Sequence, residues 1–206
     1  MKPVDHRIYL ASKSPRRREL LRQIGVDFEL LLPRDQSPRG PEVSEDALPG
    51  ENAKDYVERV TRAKAEHARN TMLWRKLPLR VILAADTTVV LGGEILGKPS
   101  DPAAARNMLK SLSGQTHQVM TSVAVFGVDE QWQATQTSDV TFTALSSQLI
   151  DRYCATSEPY DKAGGYAVQG IAALFVQNIA GSYSGIMGLP LFETTQLLQQ
   201  AGIKIL

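Results

Sequence analysis

Ser12, Ser14, Arg16 and Arg17 follow the short apolar run Ile8-Tyr9-Leu10-Ala11, at the point where the chain turns into a helical pattern. Cations in the first turn of a helix meet the positive end of its dipole, which costs roughly 0.3–1 kcal/mol per charge, so an anion nearby would offset the arrangement. A phosphate group suits it: free helix N–H groups, hydroxyls and guanidinium forks all donate to phosphate oxygens. The other reading directs both arginines to solvent from an exposed first turn. Lys64 comes four residues after Val60 and seven after Val57, on or beside the inward face of a second helix. An ammonium there must either snorkel to water or find an anion. Asp86 ends the apolar run 81–85, at the carboxyl end of a buried strand. There it can hold a metal ion or a water, or it can cap the turn through Thr87 and Thr88. Lys98, in Gly97-Lys98-Pro99, adds a further cation on a loop.

A fourth segment, residues 158–170, is dense in Gly, Asp161, Lys162 and Gln169. Its paired glycines imply a sharp bend or a close approach of another group. The amide of Gln169 both donates and accepts, which suits the edge of a nucleobase. The other polar candidates read as structural. His117 lies in an alternating strand segment; His6 is near the terminus; His67 flanks a helix core or faces solvent, with no metal-ligand partner at a suitable spacing. Cys154 falls beside Ile150 and Tyr153 and reads as a buried, inert thiol. Tyr166 and Tyr183 read as packing aromatics that could line a cleft.

The elements that must position these groups follow from periodicity and punctuation. A strand over 8–11 leads into a helix capped by Ser14, with Pro15 at its first position and Gly25 after its end. A second strand covers 27–32, and 33–50 reads as a surface loop rich in Pro, Gly, Ser and charge. Asn52 caps a helix to about Asn70. A buried strand over 81–85 stops at Asp86, and Gly92-Gly93 between apolar triplets marks a hairpin. Asp101-Pro102 opens a helix closed by Gly114. Residues 119–126 and 132–142 make an antiparallel pair, Ser146 caps another helix, 173–179 is a last strand, and 191–200 a last helix. Strands and helices alternate early and antiparallel pairing dominates later, so the expected fold is a mixed α/β sheet flanked by helices.

With 206 residues, 43% hydrophobic and 22% charged, the chain can bury a core and is expected to form one unit over 1–206. Its 23 Lys and Arg against 22 Asp and Glu leave a net charge of +1, so a general nucleic-acid coat is disfavoured. One cysteine supplies neither an intrachain disulfide nor a zinc cage. Neither a bilayer-spanning apolar run nor a signal-peptide core is present, so no membrane association and a cytoplasmic location are expected.

Taken together, these segments resemble the Maf family of nucleoside triphosphate pyrophosphatases. The resemblance rests on Leu10-Ala11-Ser12-x-Ser14-Pro15-Arg16-Arg17, Pro49-Gly50-Glu51, Lys64-Ala65 and Ala85-Asp86-Thr87, and continues through Gly97-Lys98-Pro99 and Leu112-Ser113-Gly114-x-x-His117-x-Val119. Asp161-Lys162-Ala163-Gly164, Gln169-Gly170 and Gly188-Leu189-Pro190 complete it. It spans nearly the whole chain, and the Asp161-Lys162-Ala163-Gly164 form is similar to the branch acting on dTTP and UTP, rather than the branch acting on 7-methyl-GTP.

The resemblance implies a mixed, strongly twisted sheet in two lobes around a central cleft, a homodimer, and Mg2+- or Mn2+-aided hydrolysis of a triphosphate to the monophosphate and pyrophosphate. By matching position, Asp86 would be the proton acceptor, and Arg16, Thr87 and Gln169 would bear on substrate choice. Glu45, the acidic residue before Pro49-Gly50-Glu51, would join Asp86 as a metal ligand, although residues 34–42 read as an insertion in that loop. A triphosphate carries about four negative charges, and its leaving pyrophosphate gathers more, so Arg16, Arg17, Lys64 and Lys98 are the expected source of electrostatic stabilisation. Ser12, Ser14, Asp161 and Lys162 complete the expected substrate contacts. The family is also associated with regulation of cell division through nucleotide binding, which stands as an alternative to turnover.

Overall fold

A computed structural model describes residues 7–32 and 43–205; His6 and the segment 34–42 read as an insertion lie outside these. The described residues form a mixed sheet of seven strands. β1 (Ile8–Leu10) lies parallel to β2 (Phe28–Leu30) on one side and to β3 (Ile82–Leu91) on the other. β5 (Thr116–Phe126) runs antiparallel to β3, β6 (Gln131–Phe142) to β5, and β7 (Val176–Ala180) to β6. β4 (Glu94–Leu96) returns along the far end of β3 through Gly92 and Gly93, both at positive φ, as the hairpin signal requires. The helices are α1 (Pro15–Gln23), α2 (Ala53–Trp74), α3 (Pro102–Leu112), α4 (Ser147–Cys154), α5 (Tyr183–Ile186) and α6 (Leu191–Gln200). None of the described helices is long and apolar enough to cross a membrane.

The helix starts lie where side-chain chemistry sets them. Asn52 Oδ1 accepts the amide of Asp55 at 3.0 Å, Asp101 Oδ1 those of Ala103 and Ala104 at 2.8 Å, and Ser146 Oγ that of Leu149 at 3.2 Å. Such caps are each worth about 1 kcal/mol. α2 runs past Asn70 to Trp74, because no glycine or proline interrupts its pattern there. The expected strand over 173–179 is corrected. Residues Ile171–Leu174 wind into a 3-10 turn whose first amides are taken by the Glu158 side chain, and pairing begins only at Val176. The expected end of the buried strand at Asp86 is also corrected. β3 continues to Leu91, because the β-prone run Thr87-Thr88-Val89-Val90 keeps register with β5, with Asp86 opposite Ser122 and Thr87 opposite Thr121.

The strand alternation of β3 divides the core. Leu83 and Ala85 join Leu10, Leu21, Val123, Leu189 and Leu198 beneath α1 and α6. Ile82 and Ala84 join Tyr9, Ala65, Ala68 and Met72 beneath α2 on the other face. A further cluster around Leu109, Leu112, Phe142, Tyr153 and Phe175 lies under α3 and α4. Since successive side chains point to opposite faces, Asp86 falls on the α2 side and Thr87 on the α1 side. β1 pairs with β3 only at Ile82 and Leu83, and β4 joins only from Val89. Between those points no described strand covers that edge of β3, which leaves a notch at Asp86 and Thr87.

Candidate active site

Two polar groupings meet at this notch, one from each face. On the α2 side, Lys64 Nζ donates to Asp86 Oδ1 at 2.7 Å and lies 2.7 Å from Glu45 Oε1. The lysine on the inward stripe therefore finds an anion, and it finds two. The side chains of Lys64 and Asp86 are 21% and 13% exposed, whereas that of Glu45 is half exposed. Solvent screening leaves an exposed pair with about 0–1 kcal/mol, while removing one member of a fully buried pair costs about 3–5, so the Asp86 contact is the firmer. Burial alone would raise the pKa of Glu45. The Lys64 hydrogen bond and the charges of Lys64, Lys98 and Arg17 bring it below the ordinary carboxylate value instead, so Glu45 is ionised and faces all three cations.

Glu45 is placed by α2. The Tyr56 hydroxyl donates to the Glu45 carbonyl at 2.9 Å, and its pKa is pushed up to about 12 by burial and by the negative charges of Asp86 and Glu45. Arg59 grips both carboxylate oxygens of Glu51 at 2.6 and 2.7 Å and the carbonyl of Asp46 at 2.9 Å. Glu51 also accepts the amide of Leu48, and its pKa falls to about 2 chiefly through the Arg59 hydrogen bonds. Residues 45–51 are thus strapped to the helix that bears Lys64.

On the α1 side, the Arg17 guanidinium is held by three neutral acceptors: Gly188 O at 2.7 Å from Nε, Ser12 Oγ at 3.2 Å from Nη1 and Thr87 Oγ1 at 3.2 Å from Nη2. Burial lowers its pKa, with Asp86 and Glu45 opposing that effect and Arg16 adding to it. Arg17 forms no carboxylate ion pair among the described residues. Its orientation is fixed while its charge is not neutralised by direct contact. The N-cap Ser14 draws its own amide to Ser12 Oγ at 3.2 Å and accepts the Arg17 amide at 3.5 Å, so the loop is wound around this arginine. Thr121, fully buried on β5, donates to Gly185 O at 2.7 Å and lies 2.9 Å from Thr87 Oγ1. With its one proton so placed, Thr121 must accept from Thr87, and Thr87 in turn accepts from Arg17.

The segment 158–170 approaches from the β4 side, where the Gly164 amide donates to Gly97 O at 3.1 Å. Gly164 has φ +72°, and a Cβ there would come within 2.9 Å of Val89, so only glycine lets this turn lie on β3. Lys162 Nζ pairs with Asp161 and donates to Glu158 O at 2.9 Å, so its charge is engaged inside its own loop. Burial raises the Asp161 pKa, but Lys162 and the charge of Arg16 together lower it, which places Asp161 within the field of Arg16. Gln169 is exposed beside Val168, a member of the cluster beneath α1, and its amide makes no hydrogen bond among the described residues. Lys98 is exposed and within electrostatic reach of Glu45.

His117 stands apart from the notch. It is buried, its Nε2 lies 2.7 Å from the Tyr166 hydroxyl, and burial lowers its pKa to about 4. Tyr166 packs with it and Phe142. Cys154 is a buried free thiol whose pKa is raised by burial. Sequence reasoning missed Tyr56, Thr121 and the carbonyl of Gly188. The Gly188-Leu189-Pro190 triplet was a signal without a role, and Thr121 carries no signal until the register with Thr87 is known.

A family model described as Maf-like protein matches residues 7–201. Among curated relatives, a dTTP/UTP pyrophosphatase of Aromatoleum aromaticum is 52% identical over 206 residues, covering 100% of both chains. One of Nitrosospira multiformis is 52% identical over 205 residues, covering 98% of each. One of Ralstonia nicotianae is 54% identical over 199 residues, covering 96% of this chain and 95% of its own.

Proposed function

The chain belongs to the Maf family, and from that membership we propose that it hydrolyses dTTP and UTP to the nucleoside monophosphate and pyrophosphate. The observation that carries the reading is the pairing, at one notch in the sheet, of the un-neutralised Arg17 with the Lys64-bound carboxylates of Asp86 and Glu45. A tripolyphosphate supplies the anion that Arg17, Arg16 and Lys98 lack, and the carboxylate beside it supplies the base.

In this reading Asp86 binds Lys64 through Oδ1 and turns its other oxygen, which accepts no hydrogen bond among the described residues, toward the attacking water. The water oxygen forms a bond to the α-phosphorus, the bond from that phosphorus to the bridging oxygen breaks, and the pyrophosphate leaves with the electron pair. The water proton passes to Asp86. Arg17, preoriented by Ser12, Thr87 and Gly188, stabilises charge as it gathers on the phosphates, at no further cost in reorganisation. Ser12 and Ser14, which wind the start of α1 around Arg17, face the same phosphates. Arg16, Thr87 and Gln169 select the base, with Lys162 pairing with Asp161 and bonding Glu158 O to stiffen that loop.

Glu45 and Asp86, bridged by Lys64, are hard oxygen donors of the kind Mg2+ and Mn2+ take one or two of, with water and phosphate oxygens completing the shell. Glu45 and Asp86 would hold the ion, which would polarise phosphate oxygens when bound. A cytoplasmic homodimer belongs to the same proposal.

Hydrolysis of UTP in 18O-labelled water tests the route. Label in UMP and none in pyrophosphate is expected; label in pyrophosphate contradicts attack at the α-phosphorus.

A further inference from the structure

The loop that carries Asp161, Lys162 and Gln169 is closed by a single side chain. The carboxylate of Glu158 accepts the amide of Ile171 at 2.8 Å, that of Ala172 at 3.1 Å and the hydroxyl of Tyr153 at 3.0 Å. It thus joins the residue that begins the loop to the residues that end it, and anchors both to α4. Gly170 belongs to the same device. A Cβ there would lie 2.2 Å from Glu158 Oε2, while its φ of −104° is open to any residue. Glycine is required at this position for the approach of the carboxylate and not for backbone freedom. Between the ends, Gly164 and Gly165 lie against Val89 and Met108, and Tyr166 is held by His117. Asp161 and Gln169 are the exposed side chains of the segment 159–170.

We propose that Glu158 is a positioning residue for substrate choice: by clasping the amides of Ile171 and Ala172 it fixes the loop so that Gln169 and Asp161 present one edge to the nucleobase. The inference rests on the pyrophosphatase reading and deepens it. Burial tends to raise the Glu158 pKa, but the two amides, Tyr153 and Lys162 outweigh it and lower the pKa, so the clasp is ionised near neutral pH. Opening it costs the enzyme the alignment of a polar side chain against a polar base edge. That is the interaction by which buried sites discriminate most strongly, whereas phosphate contacts are common to every triphosphate.

The test compares kcat/KM for UTP and GTP in the wild type, Glu158→Ala, Glu158→Gln and Gly170→Ala. The UTP-to-GTP ratio is expected to fall by about tenfold or more in Glu158→Ala and Gly170→Ala, and less in Glu158→Gln, mainly through KM for UTP. Gly170→Ala is expected to do no further harm in the Glu158→Ala background, because the carboxylate it would displace is gone. If Glu158→Ala folds poorly, the isosteric Glu158→Gln and Gly170→Ala carry the comparison. An unchanged ratio in the folded variants, with a wild type that releases pyrophosphate from UTP, overturns the role of Glu158 alone. A wild type inactive on UTP overturns the pyrophosphatase reading and this inference with it.

Discussion

The guanidinium of Arg17 donates to the carbonyl of Gly188 at 2.7 Å, across 171 positions of sequence. This contact ties the first helical turn of the chain to the turn before its last helix, and it fixes the cation by geometry alone. Lysine at position 17 keeps the charge and loses the fork that reaches Gly188, Ser12 and Thr87 together. Arg17→Lys is expected to lower kcat/KM for UTP by about 10²-fold, with a smaller effect on thermal stability. Steady-state kinetics beside a melting curve checks this; a variant within threefold of wild type removes Arg17 from the phosphate site.

Lys64 keeps two carboxylates close together. Lys64→Met removes the hydrogen bond and the charge that hold the Glu45 carboxyl below its ordinary value, so Glu45 takes up its proton at higher pH. The variant is expected to lose about 10²-fold or more in kcat, and the acid limb of its pH–rate profile is expected to move to higher pH. An unshifted acid limb would show that Lys64 does not govern the protonation of Glu45.

Thr121 orients Thr87. Thr121→Val preserves volume but removes both the partner of the Thr87 hydroxyl and the donor to Gly185 O. A loss of about 1 kcal/mol in stability is expected from the lost hydrogen bonds, since Gly185 O keeps the amide of Gly188 at 2.9 Å, with about a tenfold fall in kcat/KM as Thr87 and Arg17 lose their alignment. Denaturant unfolding and kinetics on the same sample separate the two effects.

His117 makes stability depend on pH well away from the chemistry. Its folded pKa of about 4 lies below the ordinary 6.5, so the unfolded chain binds the proton more readily. Its contribution is complete above pH 6.5 and is lost as pH falls from 6.5 toward 4, by roughly 3 kcal/mol at about 1.4 kcal/mol per unit. Urea unfolding between pH 4.5 and 7.5 is expected to show this slope in the wild type and a flatter one in His117→Gln. Equal slopes would remove His117 as its source.

Local signals made most of the elements legible. Ser14 with Pro15, Asn52, Asp101 with Pro102, Ser146 and the Gly92-Gly93 pair each act within a few residues of themselves, and all fall at element boundaries in the structure. The mixed sheet followed from the order of those elements. The end of β3 was misread because an aspartate in an apolar run resembles a strand end. The partner that makes it tolerable inside the strand, Lys64, lies 22 residues earlier on a helix whose position the sequence does not state. The strand start at 173 was misread for a similar reason, since the carboxylate that winds 171–174 into a turn comes from Glu158. At the site, residue types at motif positions were legible, whereas the partners of Arg17 were not. Its acceptors come from β1's loop, from β3 and from the turn after α5, and only tertiary packing brings these together.

The most direct test is pyrophosphate release from a panel of UTP, dTTP, CTP, ATP, GTP and 7-methyl-GTP, with Mg2+ or Mn2+, by the wild type and Asp86→Asn. Release from UTP and dTTP that requires added metal and vanishes in Asp86→Asn is the expected result. Preference for 7-methyl-GTP, or turnover that survives Asp86→Asn unchanged, would contradict the account.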